Sequence, residues 1–238
     1  MALNAKKIGG GGQGGNRVQQ DNIEPGVYPC RLVQIIDLGL QPQRPYQGKD
    51  KAPAQEIMLT YELVDEFMKD EDGNELEDKP RWISETLPFH GLQADKAKST
   101  QRYNALDPNG DLDGDLSKAI GFPVNITIVN NAVGEKVYDN VASLSPMRPR
   151  DAEKCPELKN PTKVFDLDAP DLETFLKFPQ WIQDKIKGNL NFAGSPLEAR
   201  LNGVKGEAKA APAKPAKEAK KRVPEPEVEA EEPEDNPY

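Results

Sequence analysis

Histidine is nearly missing from this chain and cysteine is scarce: His90 stands alone, and Cys30 and Cys155 are the two thiols in 238 residues. A single imidazole excludes multi-histidine metal sites, and two distant cysteines lack metal-ligand spacing. The thiols read as reduced and structural. No G-x-S-x-G or other nucleophile motif accompanies His90. No hydrophobic run is long enough to span a bilayer, and no apolar signal core follows Met1, so the expectation is a cytoplasmic protein. Hydrophobic residues make up 36% and charged residues 30%. That balance is too polar for one globule throughout and predicts disordered ends around a single core-bearing region.

What is abundant lies at those ends. Residues 1–22 form a Gly-rich arm in which Lys6, Lys7 and Arg17 flank the run from Gly9 to Gly15. It lacks the Lys-Ser/Thr of a phosphate loop and has no strand before it, so it reads as a flexible basic leader. Residues 203–222 are a basic Ala/Pro/Lys tether. Residues 223–238 carry seven acids and no base, and end on Asn236-Pro237-Tyr238. The net charge of −9 therefore divides: residues 205–222 hold +5 and the tail −7, leaving −7 on residues 1–204. Any surface for a polyanion has to be a local basic patch on an acidic body.

Between the ends, strand signals dominate. Val27 to Leu40 reads as a strand, with Pro29 near its start suggesting an edge or bulge. Gln41 to Gln55 reads as a long loop. Glu56 to Phe67 alternates, with Ile57, Leu59, Tyr61 and Leu63 on one face and Met58, Thr60, Glu62 and Val64 on the other. Asp70 to Lys79 is a polar hairpin, and Arg81 to Leu87 a third strand. Gln93 to Leu106 is helical in composition, and Asp115 to Gly121 a short helix. Val124 to Val129 and Lys136 to Leu144 complete a hairpin. Asp107 to Asp115 resembles a calcium loop, but Ile120 stands where the bidentate Glu belongs, so a capping turn is the better account and neither metal nor cofactor is expected.

Five short strands with a helix between the third and fourth give the order of an OB-fold barrel; a generic antiparallel α+β domain is the competitor. The expected class is mainly β: an OB-fold over residues 23–145, then a Pro-rich connector and two short helices over residues 146–202. Leu172, Phe175, Leu176, Trp181, Ile182 and Ile186 form an apolar stripe expected to pack on the barrel.

No enzyme signature stands out. What recurs is basic beside planar side chains: Arg44, Tyr46, Lys49 and Lys51 in the long loop, Arg81 and Trp82 on the third strand, and Lys96, Lys98, Arg102 and Tyr103 on the connecting helix. Arg31 adds a cation on the first strand. Single-stranded nucleic acid needs both parts, since cations neutralise phosphates and rings stack exposed bases.

The chain also resembles the single-stranded DNA-binding proteins of tailed bacteriophages. The stretches that carry this include ALNAKKIGGGG, EPGVYPCRLVQIIDLGLQPQRPYQGK, EIMLTYELVDEF, KPRWISETLPF, DKAKSTQRY, VYDNVASLSPMRP and FPQWIQDKIK. The resemblance implies an OB-fold, protection of replication and recombination intermediates in the bacterial host cytoplasm, and a tail that recruits phage or host replication proteins. Glu231, Glu232, Glu234, Asp235, Pro237 and Tyr238 match such acidic, aromatic-terminated tails, with Tyr where bacterial counterparts end in Phe. The competing readings are a phage structural or scaffolding protein assembling through the C-terminal helices and charged ends, and a nuclease with a metal at Asp107–Asp115.

Overall fold

A computed structural model describes residues 20–207 of the chain. The expectations for most of the N-terminal arm, most of the tether and the whole acidic tail fall outside these residues. The expected mainly β class is borne out. Strands β1 (Gly26–Tyr46), β2 (Lys49–Lys69), β3 (Glu75–Pro88), β4 (Pro123–Val133) and β5 (Lys136–Pro146) form one antiparallel sheet, ordered β3-β2-β1-β4-β5. A short β6 (Lys163–Phe165) adds in parallel to β1 at Gln34–Ile36. Helix α1 (Lys98–Leu106) and a single 3₁₀ turn (Leu116–Ala119) connect β3 to β4. After β5 come α2 (Pro149–Ala152), β6, α3 (Leu172–Lys177), α4 (Gln180–Lys187) and α5 (Pro196–Glu207). Among the described residues no helix is long and apolar enough to cross a membrane.

The alternation in β2 is the one expected: Ile57, Leu59, Tyr61 and Leu63 join the inner core. Strand β1 is buried on both faces, because it sits between two apolar clusters. The inner cluster takes Leu32 and Ile35 of β1, Ile83 and Leu87 of β3, Val124, Ile126 and Ile128 of β4, and Tyr103 and Leu106 of α1. Strands from both ends of the sheet thus meet one core, so the sheet curls round it with α1 at the open side. Pro29 causes no break: β1 pairs with β4 there, and the ladder to β2 begins one residue later at Cys30.

The outer cluster lies on the opposite face of β1 and β2. Ile36, Leu38 and Met58 meet Phe165 and the helical residues Phe175, Phe178, Ile182, Ile186 and Leu197. Phe165 sits edge-on to Phe178, with ring centroids 5.1 Å apart. Asp171 caps α3 by accepting from the Thr174 N–H at 2.9 Å. Of the expected apolar stripe, Phe175, Ile182 and Ile186 are buried, whereas Leu176 and Trp181 are exposed.

Two expectations are corrected. The sheet is not a closed barrel: among the described residues no backbone ladder joins β3 to β5. Side chains bridge that gap instead. Arg102 of α1 donates to both carboxylate oxygens of Glu85 on β3, at 2.8 and 3.1 Å, and to the carbonyls of Val141 and Ala142 on β5. Arg81 of β3 lies 3.8 Å from Asp139 of β5.

The second correction concerns the long loop. Gln41 to Gln55 is not a loop but a two-stranded ribbon, the far ends of β1 and β2, turned by Gln47 and Gly48 alone. Both turn residues have positive φ, 53° and 75°, the backbone that matches the twist of a two-residue hairpin. The ribbon projects as an arm, exposed from Arg44 to Pro53.

Candidate nucleic-acid interface

The structure sorts the basic and aromatic candidates into four groups. The first is the arm tip. Tyr46 pairs with Lys49 across the turn, and Gln43 pairs with Lys51. Tyr46 is 60% exposed, and the Lys51 ammonium stands 4.8 Å from its ring centroid. Arg44 is exposed two residues before Tyr46. Three cations and a ring, with Asp50 between two of the cations, are therefore placed on one ribbon by backbone pairing. The ring face carries negative quadrupole charge, which favours the cation above it.

The second group lies on β3, and its two members point apart. Trp82 faces outward and is 45% exposed; its indole N–H donates to Glu62 at 3.0 Å. Glu62 is buried and also accepts from the Lys159 backbone N–H and the Asn160 side chain, both at 2.7 Å. The connector before β6 is thereby strapped across the outward row of β2 and β3. Lys159 extends this strap, standing 4.8 Å from the Phe67 ring and donating to the Glu77 carbonyl. Arg81 turns to the other side, where it donates to the Asp21 carbonyl at 2.7 Å and faces Asp139. Burial raises the nearby Glu66 carboxyl, and Arg81 only partly offsets this. Arg81 thus sits among acids, a poor place for a phosphate.

The third group is Lys96 and Lys98, exposed at the start of α1. Ser99, next to Lys98, accepts from the His90 N–H at 3.0 Å, and the preceding Phe89 N–H donates to the Gln55 carbonyl at the root of the arm.

The fourth group belongs to the framework. Arg31 donates to the carbonyls of Pro156, Gly121 and Cys155 at 2.7–2.9 Å, fastening the connector to β1. Arg102 is 2% exposed and closes the β3–β5 gap. Tyr103 is buried; its hydroxyl donates to Asp107 at 2.9 Å and accepts from the Gly114 N–H at 2.7 Å. All three leave the list of candidate contacts, because their polar atoms already have internal partners.

The acidic turn after α1 resolves the same way. The Asp107 carboxylate accepts from the backbone N–H groups of Asp111 and Leu112 as well as from Tyr103. Burial would raise this carboxyl, but those donors outweigh it and hold it below the usual range. Among the described residues no group of three or more potential ligands could hold a metal ion.

A cleft of about 310 Å³ opens between β1, β6 and the 3₁₀ turn, lined by Ile35, Ile57, Phe89 and Phe165. Its polar lining is Gln55, Ser117 and three acids, Asp37, Asp115 and Asp166. Burial pushes the Asp37 carboxyl up, and the Gly39 N–H and Gln55 amide only partly compensate. The lining has the wrong sign for a phosphate strand.

Sequence reasoning missed two features. Alternation puts Glu62 on the second face of β2 with Met58, Thr60 and Val64, and nothing local announces the connector that covers it. Trp181 was placed in the buried stripe, yet it is 56% exposed. The signal was present: Ile182 and Ile186 share a helix face, and Trp181 stands about 100° away from Ile182. Compared with known proteins, the chain matches no family model and no curated protein sequence.

Proposed function

We propose that this chain is a sequence-independent single-stranded DNA-binding protein of phage DNA replication or recombination, without a catalytic step of its own. The observation that carries the reading is the arm: Arg44, Tyr46, Lys49 and Lys51 stand together and exposed at the end of a two-stranded ribbon. A base can stack on the ring while the cations meet phosphates on either side. The strand order, with α1 between β3 and β4, supports an OB-like curled sheet whose last seam is closed by ion pairs. In that architecture the ribbon between the first two strands is a usual place to hold a nucleic-acid strand. The acidic tail, with Pro237 and Tyr238, is assigned to recruiting replication proteins in the host cytoplasm and to competing with DNA for the arm.

A gel shift with oligo-dT and a duplex of equal length tests this. The expected result is preference for the single strand, with log K falling by about 0.7 per decade of salt for each phosphate neutralised. Replacing Tyr46 by Ala is expected to weaken binding by about 5- to 150-fold while leaving the unfolding midpoint unchanged. Protein that leaves oligo-dT free at low ionic strength overturns the reading.

Exposed Leu176, Trp181 and Leu190 favour one alternative, an assembly protein that self-associates through its helical layer. That alternative predicts a concentration-dependent sedimentation coefficient and equal indifference to both DNA forms.

A further inference from the structure

We infer that Trp181, not Trp82, is the tryptophan that works with the arm, as a second stacking ring for single-stranded DNA. The inference rests on the DNA-binding reading above.

Helix α4 is fastened to the root of the arm by three links. The Lys185 ammonium pairs with Glu56 of β2 at 2.6 Å. The Lys185 carbonyl accepts from the Gln41 side chain of β1 at 2.9 Å. Just past the helix, the Leu190 N–H donates to the Leu40 carbonyl at 2.9 Å. Glu56 in turn accepts from Gln43 at 2.8 Å, three residues before Tyr46 on β1.

Trp181 and Lys185 are four residues apart and so share one face of α4, about 6 Å apart along the axis. The face that Lys185 applies to the arm root is therefore continued by Trp181. Trp181 is 56% exposed, and among the described residues its indole N–H has no partner. Leu176, also exposed, precedes it at the corner between α3 and α4, where Gln183 donates to the Leu176 carbonyl. A large planar ring left bare on the helix that is fastened to the root of the cationic ribbon fits a base, which offers a π-face whatever its identity. Lys187 lies exposed in the last turn of the same helix, and Lys177, paired with Glu173 on the surface, ends α3. Such a surface pair exchanges readily for a phosphate.

Trp82 is placed less well. It pairs across the ladder with Glu62, six residues beyond Glu56, so it lies about 20 Å farther from the arm root. Its N–H is held by Glu62, and the connector strap runs beside it.

These are the only two tryptophans in the chain, so fluorescence separates them. Full-length W82F reports Trp181 and W181F reports Trp82, each titrated with oligo-dT alongside anisotropy of a labelled strand. The expected result is quenching of Trp181 with the same midpoint as the anisotropy change, and a smaller change at Trp82. Replacing Trp181 by Ala is expected to lower oligo-dT affinity by about 5- to 150-fold with an unchanged unfolding midpoint. If W82F fails to fold, wild type minus W181F isolates the same emission. Normal binding with a silent Trp181 overturns this inference alone. Absence of binding in every variant overturns the DNA reading with it. Normal oligo-dT affinity in W181A with an altered sedimentation coefficient assigns the ring to contact between protein chains and also overturns it.

Discussion

Arg102, 2% exposed, holds Glu85 of β3 while donating to two carbonyls of β5. A buried ion pair is weak evidence of net stabilisation, but removing one partner strands the other without water. Arg102→Met is therefore expected to cost about 3–5 kcal/mol, read as a lower urea midpoint. The double change with Glu85→Gln should recover part of that loss, since no charge is then left unpaired. A double variant no more stable than the single one would refute the bridging role. Asp107 carries a second residue-scale expectation. Its carboxyl is held low by Leu112, Asp111 and Tyr103 donors, against the opposing effect of burial. A folded value below the unfolded one contributes stability that is complete above about pH 4 and is lost as pH falls through the folded value. Asp107→Asn should lower stability at neutral pH and flatten the acid limb of the stability curve. An acid limb identical to wild type would show that other carboxylates set it. Neither Arg102 nor Arg31 was legible as core. A charged side chain in a sequence reads as surface, and only the tertiary partners of its five N–H donors decide otherwise.

At the scale of elements, legibility followed side-chain periodicity. The alternation in Ile57–Leu63 located β2 and its buried face, and the stripe through Phe175, Ile182 and Ile186 located the outer helices. The arm was misread because Pro42, Pro45 and Pro53 break the pattern and no core lies under it; its strands are paired by the Gln47-Gly48 turn rather than by burial. Helix α5 carries Gly203 and Gly206, which local propensity counts against a helix. Packing of Leu197 at its start offsets that. Gly39 shows where an element and its neighbour meet. Its φ is +79°, and a Cβ there would lie 2.6 Å from Asn189 Cγ. Asn189 in turn donates to the Ile186 carbonyl at 2.5 Å and so ends α4. Gly39→Ala combines left-handed strain with a clash and is expected to cost about 1–3 kcal/mol. Because α4 is displaced from the arm root, it should also weaken oligo-dT binding more than its effect on stability alone explains. Unchanged affinity in folded Gly39→Ala would separate α4 from the DNA site.

For the whole molecule, the distribution of charge poses the question. The proposed function asks a chain of net charge −9 to bind a polyanion, with Arg44, Lys49 and Lys51 on one exposed arm and seven acids in residues 223–238. Both follow if the tail and DNA are alternative occupants of the same cations. A tethered competitor acts at an effective concentration set by its linker rather than by the solution, so it weakens DNA binding without any new contact. Deleting residues 223–238 is then expected to raise oligo-dT affinity at low salt and to leave it nearly unchanged at high salt, where screening weakens tail and DNA contacts alike. Replacing Arg44, Lys49 and Lys51 by Gln should reduce the salt slope by about 2 if each cation neutralises one phosphate. The informative measurement is the combination. If the tail competes at the arm, removing it from the triple variant should gain nothing, because the occupied cations are already gone. An equal gain with and without the three cations would place the tail elsewhere on the molecule, and a loss of affinity on deletion would show that it aids binding instead.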